Sequence, residues 1–341
     1  MNKDIKVQLV FHDQSRGRGV GVYGSNLLEG LKKTKGIKIV DTNPDIIHYT
    51  FFDLFYPTLK INPHIPSIVT IHDVTPLVLS EKYPKGVMST IGLFRQWFQL
   101  KKTAAIITDS ECSKKDISKI LRIDDAKVFV TLLAANNLYK KEVSADMKNK
   151  LIKKYNLPEK FILTVAGGPN PNKNLPNLAE VTERIGIPLV IVGGGINQKL
   201  IKPVEPELID LVRLEVYQHL IRLDNVPNEE LLIFYKLATA YVQASIYEGF
   251  GIPLLEAMTA ECPIVSSRAS SLPEIYDPVT ITFNPKSLKS MEKAMKKFLK
   301  LTKFQKEEYV AKNKNRSKEF SWQKTASQTA DVYKTVYEKI T

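Results

Sequence analysis

The chain has 341 residues, 43% of them hydrophobic and 25% charged, with a formal net charge of +13 at pH 7. That length favours two domains over a single core, and the composition is that of an ordinary globular chain, which excludes disordered, collagenous and disulfide-stapled classes. No apolar run approaches the roughly 20 residues of a membrane-spanning helix, MNKDIKVQLVF does not read as a signal peptide, and Cys112 and Cys262 stand far apart, so a cytoplasmic, reduced setting is expected.

In chain order, KVQLVF (Lys6 to Phe11) reads as a first strand, followed by the glycine-rich loop SRGRGVGVYG and a helix from about Val22 to Leu31. Short apolar runs continue at Ile37 to Val40, Asp45 to Tyr49, Ser67 to Asp73, Ala104 to Ser110 and Lys127 to Leu133, with a helical stretch at Ser113 to Leu121. Near-continuous apolar strands alternating with helices signify a parallel sheet covered on both faces, whose ligands sit beyond the carboxyl ends of the strands. The polar stretch Lys141 to Lys160 reads as an interdomain linker.

The alternation then restarts, with strands expected at Phe161 to Gly167, Pro188 to Gly195, His219 to Asp224, Ala240 to Ser245, Pro263 to Ser267 and Val279 to Phe283. Helices are expected from about Leu175, at Asn228 to Lys236, Pro253 to Thr259 and Ser287 to Leu301, and from about Ser321 to Ile340. The last one gathers Trp322, Ala326, Val332, Tyr333, Val336 and Tyr337 toward one side. It either caps the second domain or returns to the first. A helix at Val87 to Lys102 carries Phe94, Trp97 and Phe98 beside Arg95, Lys101 and Lys102, which suits core packing or an anionic membrane surface.

Within SIYEGFGIPLLEAM, Glu248 and Glu256 stand eight positions apart across a Gly-x-Gly turn that enters a helix at Pro253. Proline fits a first helical turn, and Gly249 and Gly251 permit tight turning and close approach of a ligand to the backbone. Taken alone, this is either a binding turn or a strand-to-helix connection with two solvated glutamates. The basic excess is spread through both halves, and suits an anionic ligand or surface. Zinc-finger spacing, RNP-like aromatics and basic-aromatic interleaving are lacking, so nucleic acid is not expected as a partner. No DxD-type or Cys/His metal-ligand set is evident, so neither a metal nor another cofactor is expected.

Several stretches, in order, resemble the retaining glycosyltransferases of the GT-B fold, in particular glycosyltransferase family 4. They are GVGVYGSNLLEGL, TIHDVTPLVLSEKYPKG, AAIITDSECSKKDI, GPNPNKNLPNL, VPNEELLIFYKLA, ASIYEGFGIPLLEAM, SSLPEI and the final FSWQKTASQTADVYKTVY. The resemblance implies two doubly wound α/β Rossmann-like domains facing a cleft. Residues 1–150 would bind the acceptor and 151–318 the nucleotide sugar, with 319–341 a helix returning to the first domain. It implies metal-independent sugar transfer with retention of configuration, from a GDP- or UDP-linked sugar to a glycan or lipid-linked acceptor. IHDVTPL is most similar to members that use GDP-mannose.

By the same resemblance His72 and Glu248 belong to the catalytic centre. Gly19, Gly21, Gly168, Lys173, Gly249, Phe250, Gly251 and Glu256 belong to donor binding, with Glu256 on the ribose diol and Glu248 on sugar hydroxyls. Glutamates beside a diphosphate would be repelled unless they accept hydrogen bonds from hydroxyls, which argues against a hydrolase acid/base pair. Many members carry Arg-Lys where this chain has Asn172-Lys173, and some an arginine where Gly167 stands, so phosphate neutralisation rests on Lys173, with Arg16 or Arg18 as further candidates. A GT-B-fold sugar-nucleotide epimerase and a non-catalytic nucleotide-sugar-binding protein are the alternatives.

Overall fold

The computed structural model describes residues 4–11, 20–83, 86–198 and 208–339. Two compact units emerge, one formed by Met1–Ala134 with Phe320–Thr341 and the other by Ala135–Glu319. Unit 1 contains β1 (Ile5–Val10), α1 (Val20–Leu31), β2 (Ile37–Ile39), β3 (Ile46–Tyr49), β4 (Ser67–Thr70), α2 (Thr75–Val78), α3 (Val87–Lys101), β5 (Ala105–Thr108), α4 (Glu111–Leu121) and β6 (Val128–Val130). Unit 2 contains α5 (Ala145–Tyr155), β7 (Ile162–Ala166), α6 (Leu175–Arg184), β8 (Leu189–Gly193), α7 (Ile209–Leu214), β9 (Leu220–Leu223), α8 (Asn228–Leu237), β10 (Ala240–Gln243), α9 (Ile252–Thr259), β11 (Ile264–Ser267), β12 (Thr282–Phe283), α10 (Leu288–Leu299) and α11 (Lys303–Ser317). The last helix, α12 (Trp322–Glu338), belongs to unit 1.

Each unit holds a six-stranded parallel sheet. The order in unit 1 is β2-β1-β3-β4-β5-β6 and in unit 2 β12-β11-β10-β7-β8-β9. The strand order reverses between β1 and β3 in the first sheet and between β7 and β10 in the second. Such reversals open a crevice at the carboxyl ends of the flanking strands. The central strands β3, β4, β5, β7, β8, β10 and β11 are buried at every position, which is why their sequences are apolar without alternation. Several strands stop short of the expected ends. β4 ends at Thr70, β5 at Thr108 and β10 at Gln243, which leaves His72, Asp109 and Ser245 in the loops beyond.

Helix α12 buries Thr325, Ala326, Thr329, Ala330, Val332, Tyr333 and Val336, a stripe of helical period. It packs on α1 at very close range, because a Cβ at Gly30 would lie 2.6 Å from the Ala326 Cβ. The Thr325 hydroxyl donates to the Leu132 carbonyl at 2.6 Å, and the Tyr333 hydroxyl meets His48 Nδ1 at 2.6 Å. These contacts join the helix to the first sheet.

Among the described residues four helices depart from the expectations, the short α2 and α7 and the longer α5 and α11. The stretch expected as a linker contains α5, capped by the Ser144 hydroxyl accepting from the Met147 N–H at 3.2 Å and closed by left-handed Asn156 (φ 47°). It buries Leu151 and joins α8 through Lys154 and Tyr155, both 2.6 Å from the Glu230 carboxylate. The division between the units falls at Ala134, before this helix. Helix α11 went unanticipated because it is strongly polar, and the Thr302/Gln305 capping box was its one legible signal.

Candidate functional site

In unit 2 the loops after β7 and β10 meet at the strand-order reversal. The β7 loop closes through a 3-10 turn at Pro171–Lys173, then enters α6 through left-handed Asn174 (φ 59°). Side-chain amides tie it to its neighbours. Asn172 Nδ2 donates to the Tyr247 carbonyl at 2.9 Å, and the Ile246 N–H donates to the Asn172 carbonyl at 2.8 Å. Asn174 Nδ2 donates to Ala244 at 3.1 Å and Pro285 at 2.9 Å. Asn172 therefore acts as a strut between loops, in a position where a charged side chain would be buried.

Lys173 is aimed at Glu248 by that strut. Its ammonium donates to both carboxylate oxygens, at 2.8 and 2.9 Å, with only 14% of the lysine side chain and 10% of the glutamate side chain exposed. Glu248 Oε1 also accepts from the Ser245 hydroxyl at 2.5 Å and from Gln243 Nε2 at 2.7 Å. Gln243 is oriented in turn by the Tyr241 hydroxyl, which donates to its Oε1. Positions 241, 243 and 245 are two apart, so an extended backbone presents all three side chains on one side. This polar ladder carries hydrogen bonds from the sheet interior up to the carboxylate.

The turn after Glu248 is clamped from the loop that follows β11. The Glu248 N–H donates to Ser270 Oγ at 2.8 Å, and the Ser271 hydroxyl bridges the carbonyls of Glu248 and Phe250 at 2.9 and 2.8 Å. Phe250 is buried beside Gly249. Gly251 has φ 117° and stands before the first residue of α9, and a Cβ there would approach Leu272 Cδ2 to 2.7 Å. Both the dihedral and the packing therefore demand glycine. Gly168 differs, since its Cβ would meet nothing nearer than 3.6 Å, so packing alone does not require glycine there.

Glu256, half-buried on α9, accepts from the Tyr235 hydroxyl at 3.1 Å. Burial, reinforced by the charge of Glu256, pushes the Tyr235 phenol well above its ordinary value; burial and the charges of Glu248 and Glu256 do the same to Tyr241. Both hydroxyls thus remain donors. The Tyr235 and Tyr241 rings lie 5.7 Å apart, one bonded to Glu256 and the other linked through Gln243 to Glu248, which puts the two glutamates in one neighbourhood.

In unit 1, His72 lies two residues beyond β4. Its Nδ1 is 2.7 Å from Asp109 Oδ2, the carboxylate being 3% exposed. The sheet register explains the meeting. Thr70 pairs with Ile107, so two residues further along both chains His72 stands beside Asp109. Asp109 escaped the sequence reading, and its one signal was an acidic residue at an apolar strand's carboxyl end. Burial alone would lower the His72 pKa, but the charge and hydrogen bond of Asp109 outweigh it and raise the net value, with smaller help from Asp73 and the Thr50 carbonyl. Burial raises the Asp109 pKa against the opposing pull of His72.

Beside this pair runs a fully buried network. Thr70 Oγ1 meets the Tyr23 hydroxyl at 3.0 Å and His48 Nε2 at 2.8 Å, and His48 continues to Tyr333. Tyr23 sets its ring edge-on to His72, with centroids 4.8 Å apart. Burial lowers the His48 pKa to about 3, so this histidine is neutral. Among the described residues His72 Nε2, Asp109 Oδ1, Thr108 Oγ1 and Thr131 Oγ1 are buried without a hydrogen-bond partner.

Asp73 accepts from the Thr75 N–H at 2.7 Å in the turn that leads into α2, and Ser110 caps α4 by accepting from the Ser113 N–H at 3.0 Å. Gly21 lies in the first turn of α1, while Gly19, Arg16 and Arg18 fall outside the described residues. On α3, Trp97 turns inward and donates to the Leu121 carbonyl at 2.6 Å, whereas Met88, Phe94 and Phe98 are 78%, 60% and 47% exposed beside Arg95. Among the described residues no helix is long and apolar enough to cross a membrane, and no cluster of three His, Cys, Asp or Glu could hold a metal ion.

Residues 147–317 match the model of the family described as glycosyl transferases group 1. O-antigen chain mannosyltransferase B of Escherichia coli is 26% identical over 276 residues, covering 79% of this chain and 70% of that protein. The serotype-specific mannosyltransferase WbdA of Escherichia coli is 26% identical over 313 residues, which cover 86% of this chain but only 37% of that relative's length. Among solved structures, the sucrose-phosphate synthase of Thermosynechococcus elongatus superposes with a TM-score of 0.72 at 15% identity, over 99% of this chain and 100% of that one. At that identity the likeness concerns the fold, which is GT-B.

Proposed function

The chain belongs to the glycosyl transferases group 1 family and is a glycosyltransferase, and from that premise we propose that it moves mannose from GDP-mannose to a glycan or lipid-linked acceptor, with retention of configuration and without a metal. The mannosyltransferase names of the relatives support the choice of sugar. The observation that carries the reading is the Lys173–Glu248 clamp at the strand-order reversal of unit 2.

An ammonium has three N–H donors, and Lys173 spends two on Glu248. The third serves a phosphate oxygen of the donor. The same lysine neutralises Glu248, so a carboxylate stands beside a diphosphate without net repulsion. Glu248 Oε1 is saturated by Lys173, Ser245 and Gln243, which leaves acceptor capacity on Oε2 for a sugar hydroxyl. Glu256, held by Tyr235, takes the ribose diol. Gly168, Gly249, Phe250 and Gly251 form the backbone wall of this site, while Gly19 and Gly21 also serve donor binding and His72 serves the catalytic centre.

In the reaction the bond from the anomeric carbon to the phosphate oxygen breaks and a bond to the acceptor oxygen forms on the same face. The acceptor's proton passes to the departing phosphate. The contribution of the protein is preorganised charge at that phosphate, which is why no nucleophilic side chain is assigned. Helix α3, with Phe94 and Phe98 exposed beside Arg95, Lys101 and Lys102, fits peripheral docking of this cytoplasmic enzyme on an anionic membrane surface, where a lipid-linked acceptor resides.

The test is a panel of sugar nucleotides scored for thermal stabilisation and slow hydrolysis. GDP-mannose is expected to raise Tm and to release GDP. Stabilisation by a UDP-sugar alone would overturn the mannosyl assignment, stabilisation by none would overturn the transferase reading, and conversion of the donor sugar without an acceptor would favour an epimerase.

A further inference from the structure

Asp109 is a buried acid that the chemistry above does not use, and its surroundings define what it does. One oxygen is 2.7 Å from His72 Nδ1; the other is buried and without a partner among the described residues. A carboxylate that is 97% enclosed demands a counter-charge or a proton. Around the imidazole stand Asp109 from the β5 end, Asp73 from the chain just after it, Tyr23 from α1 and His48 from β3. His48 is neutral and the Tyr23 phenol, pushed up by burial, keeps its proton, so neither supplies positive charge. His72 is therefore the group that balances Asp109.

We propose that Asp109 is the positioning residue for His72, holding it through Nδ1 as a charged hydrogen-bond donor whose Nε2–H serves an oxygen of the bound substrate. The assignment rests on the glycosyltransferase reading for the identity of that oxygen, a hydroxyl or a phosphate oxygen, but not for the pairing itself. Nδ1 is occupied by Asp109, and Nε2 makes no hydrogen bond of acceptable geometry among the described residues, the Thr50 carbonyl acting on the ring only weakly, so an incoming oxygen would satisfy a buried polar atom that is otherwise costly to leave unpaired. The role follows from charge. A histidine held as imidazolium cannot accept the acceptor's proton, so His72 steadies an oxygen, and the proton leaves by way of the departing phosphate.

The raised His72 pKa accords with this. The charged donor therefore persists to higher pH than in an ordinary imidazole and is lost as pH rises through the raised value. Protein labelled with 15N-histidine reports the ring nitrogens directly, with His72 assigned by the His72→Gln variant. In the wild type both nitrogens of His72 should be protonated at neutral pH. In Asp109→Asn the titration should move down by about one unit or more, the shift expected on removing an opposite charge at this range. Asp73→Asn should move it less. The alkaline limb of GDP-mannose turnover should fall to lower pH by the same amount in Asp109→Asn, with kcat reduced and the donor KM little changed. An unmoved titration in Asp109→Asn overturns the proposal, as does an unprotonated Nδ1 in the wild type, a measurement that stands even if the variant does not fold. The expected 15N result without any turnover of GDP-mannose by the wild type would support the pairing and count against the mannosyltransferase reading instead.

Discussion

The carboxyl ends of the two sheets treat their ionisable groups differently. In unit 2, Glu248 receives hydrogen bonds from Lys173, Ser245 and Gln243 before any ligand arrives. In unit 1, His72 and Asp109 have one another, while His72 Nε2, Asp109 Oδ1, Thr108 Oγ1 and Thr131 Oγ1 lack partners among the described residues. The first arrangement is complete and preorganised; the second leaves capacity to be satisfied by water or substrate. A group whose charge must be tolerated beside a diphosphate benefits from rigid support. A group that meets different acceptor oxygens benefits from open valence.

The largest effect should come from breaking the completed side. Lys173→Met removes the proposed phosphate ligand and strands Glu248, so GDP-mannose turnover should fall by about a hundredfold or more, as for loss of a preorganised charge donor. Stability should also drop by about 3 kcal/mol, the scale for removing one partner of a largely buried ion pair. Chemical denaturation of Lys173→Met, Glu248→Gln and the double variant closes the cycle. The double variant should regain stability without regaining turnover, and additive losses would show that the pair is not coupled.

The unit 1 network offers a smaller test. Tyr333→Phe deletes the hydroxyl bound to His48 and should cost about 1–3 kcal/mol by leaving a buried ring nitrogen unpaired. Denaturant unfolding reads it, and an unchanged midpoint would mean that the Tyr333–His48 hydrogen bond adds nothing to the hold on α12.

Acid sharpens the contrast further. His48 titrates in the fold at about 3 against an ordinary 6.5, so the unfolded chain binds the extra proton first. Its contribution to stability is full above pH 6.5 and declines as pH falls toward 3. His72, raised instead, has the opposite sign and loses its contribution as pH rises through its folded value. In His48→Gln the acid-side decline in Tm should be shallower than in wild type, and a parallel decline would assign the acid sensitivity elsewhere.

The smallest effect concerns neither site. Phe94→Ser with Phe98→Ser should weaken co-sedimentation with anionic liposomes while leaving turnover of a soluble acceptor within about twofold, since exposed side chains contribute little to stability. Equal binding by variant and wild type would remove the membrane proposal.

Much of the architecture was legible in the chain. Each of the twelve strands among the described residues overlaps a run expected as a strand, and for the central ones the reason is that a strand covered on both faces has no polar alternative. Helices α5 and α11 were not legible, since each buries few apolar side chains and owes its stability to caps and to neighbours such as Glu230 and Ile264. Of the candidate residues, Lys173, Glu248 and His72 could be named from stretches that resemble the family. Gln243 and Ser245 could not, because in sequence they are ordinary polar residues near a strand end, and only their common side of the chain shows that both serve one carboxylate.

By itself the sequence determined the alternation of strand and helix, the glycine required at position 251 and the types of charged residue available, since these depend on backbone conformation and residue chemistry within a few positions. The tertiary structure decided the partners. Lys173 meets Glu248 across 75 positions, His72 meets Asp109 across 37 and Tyr333 meets His48 across 285. Parallel pairing sets such distances through crossover lengths and register, which no local pattern encodes.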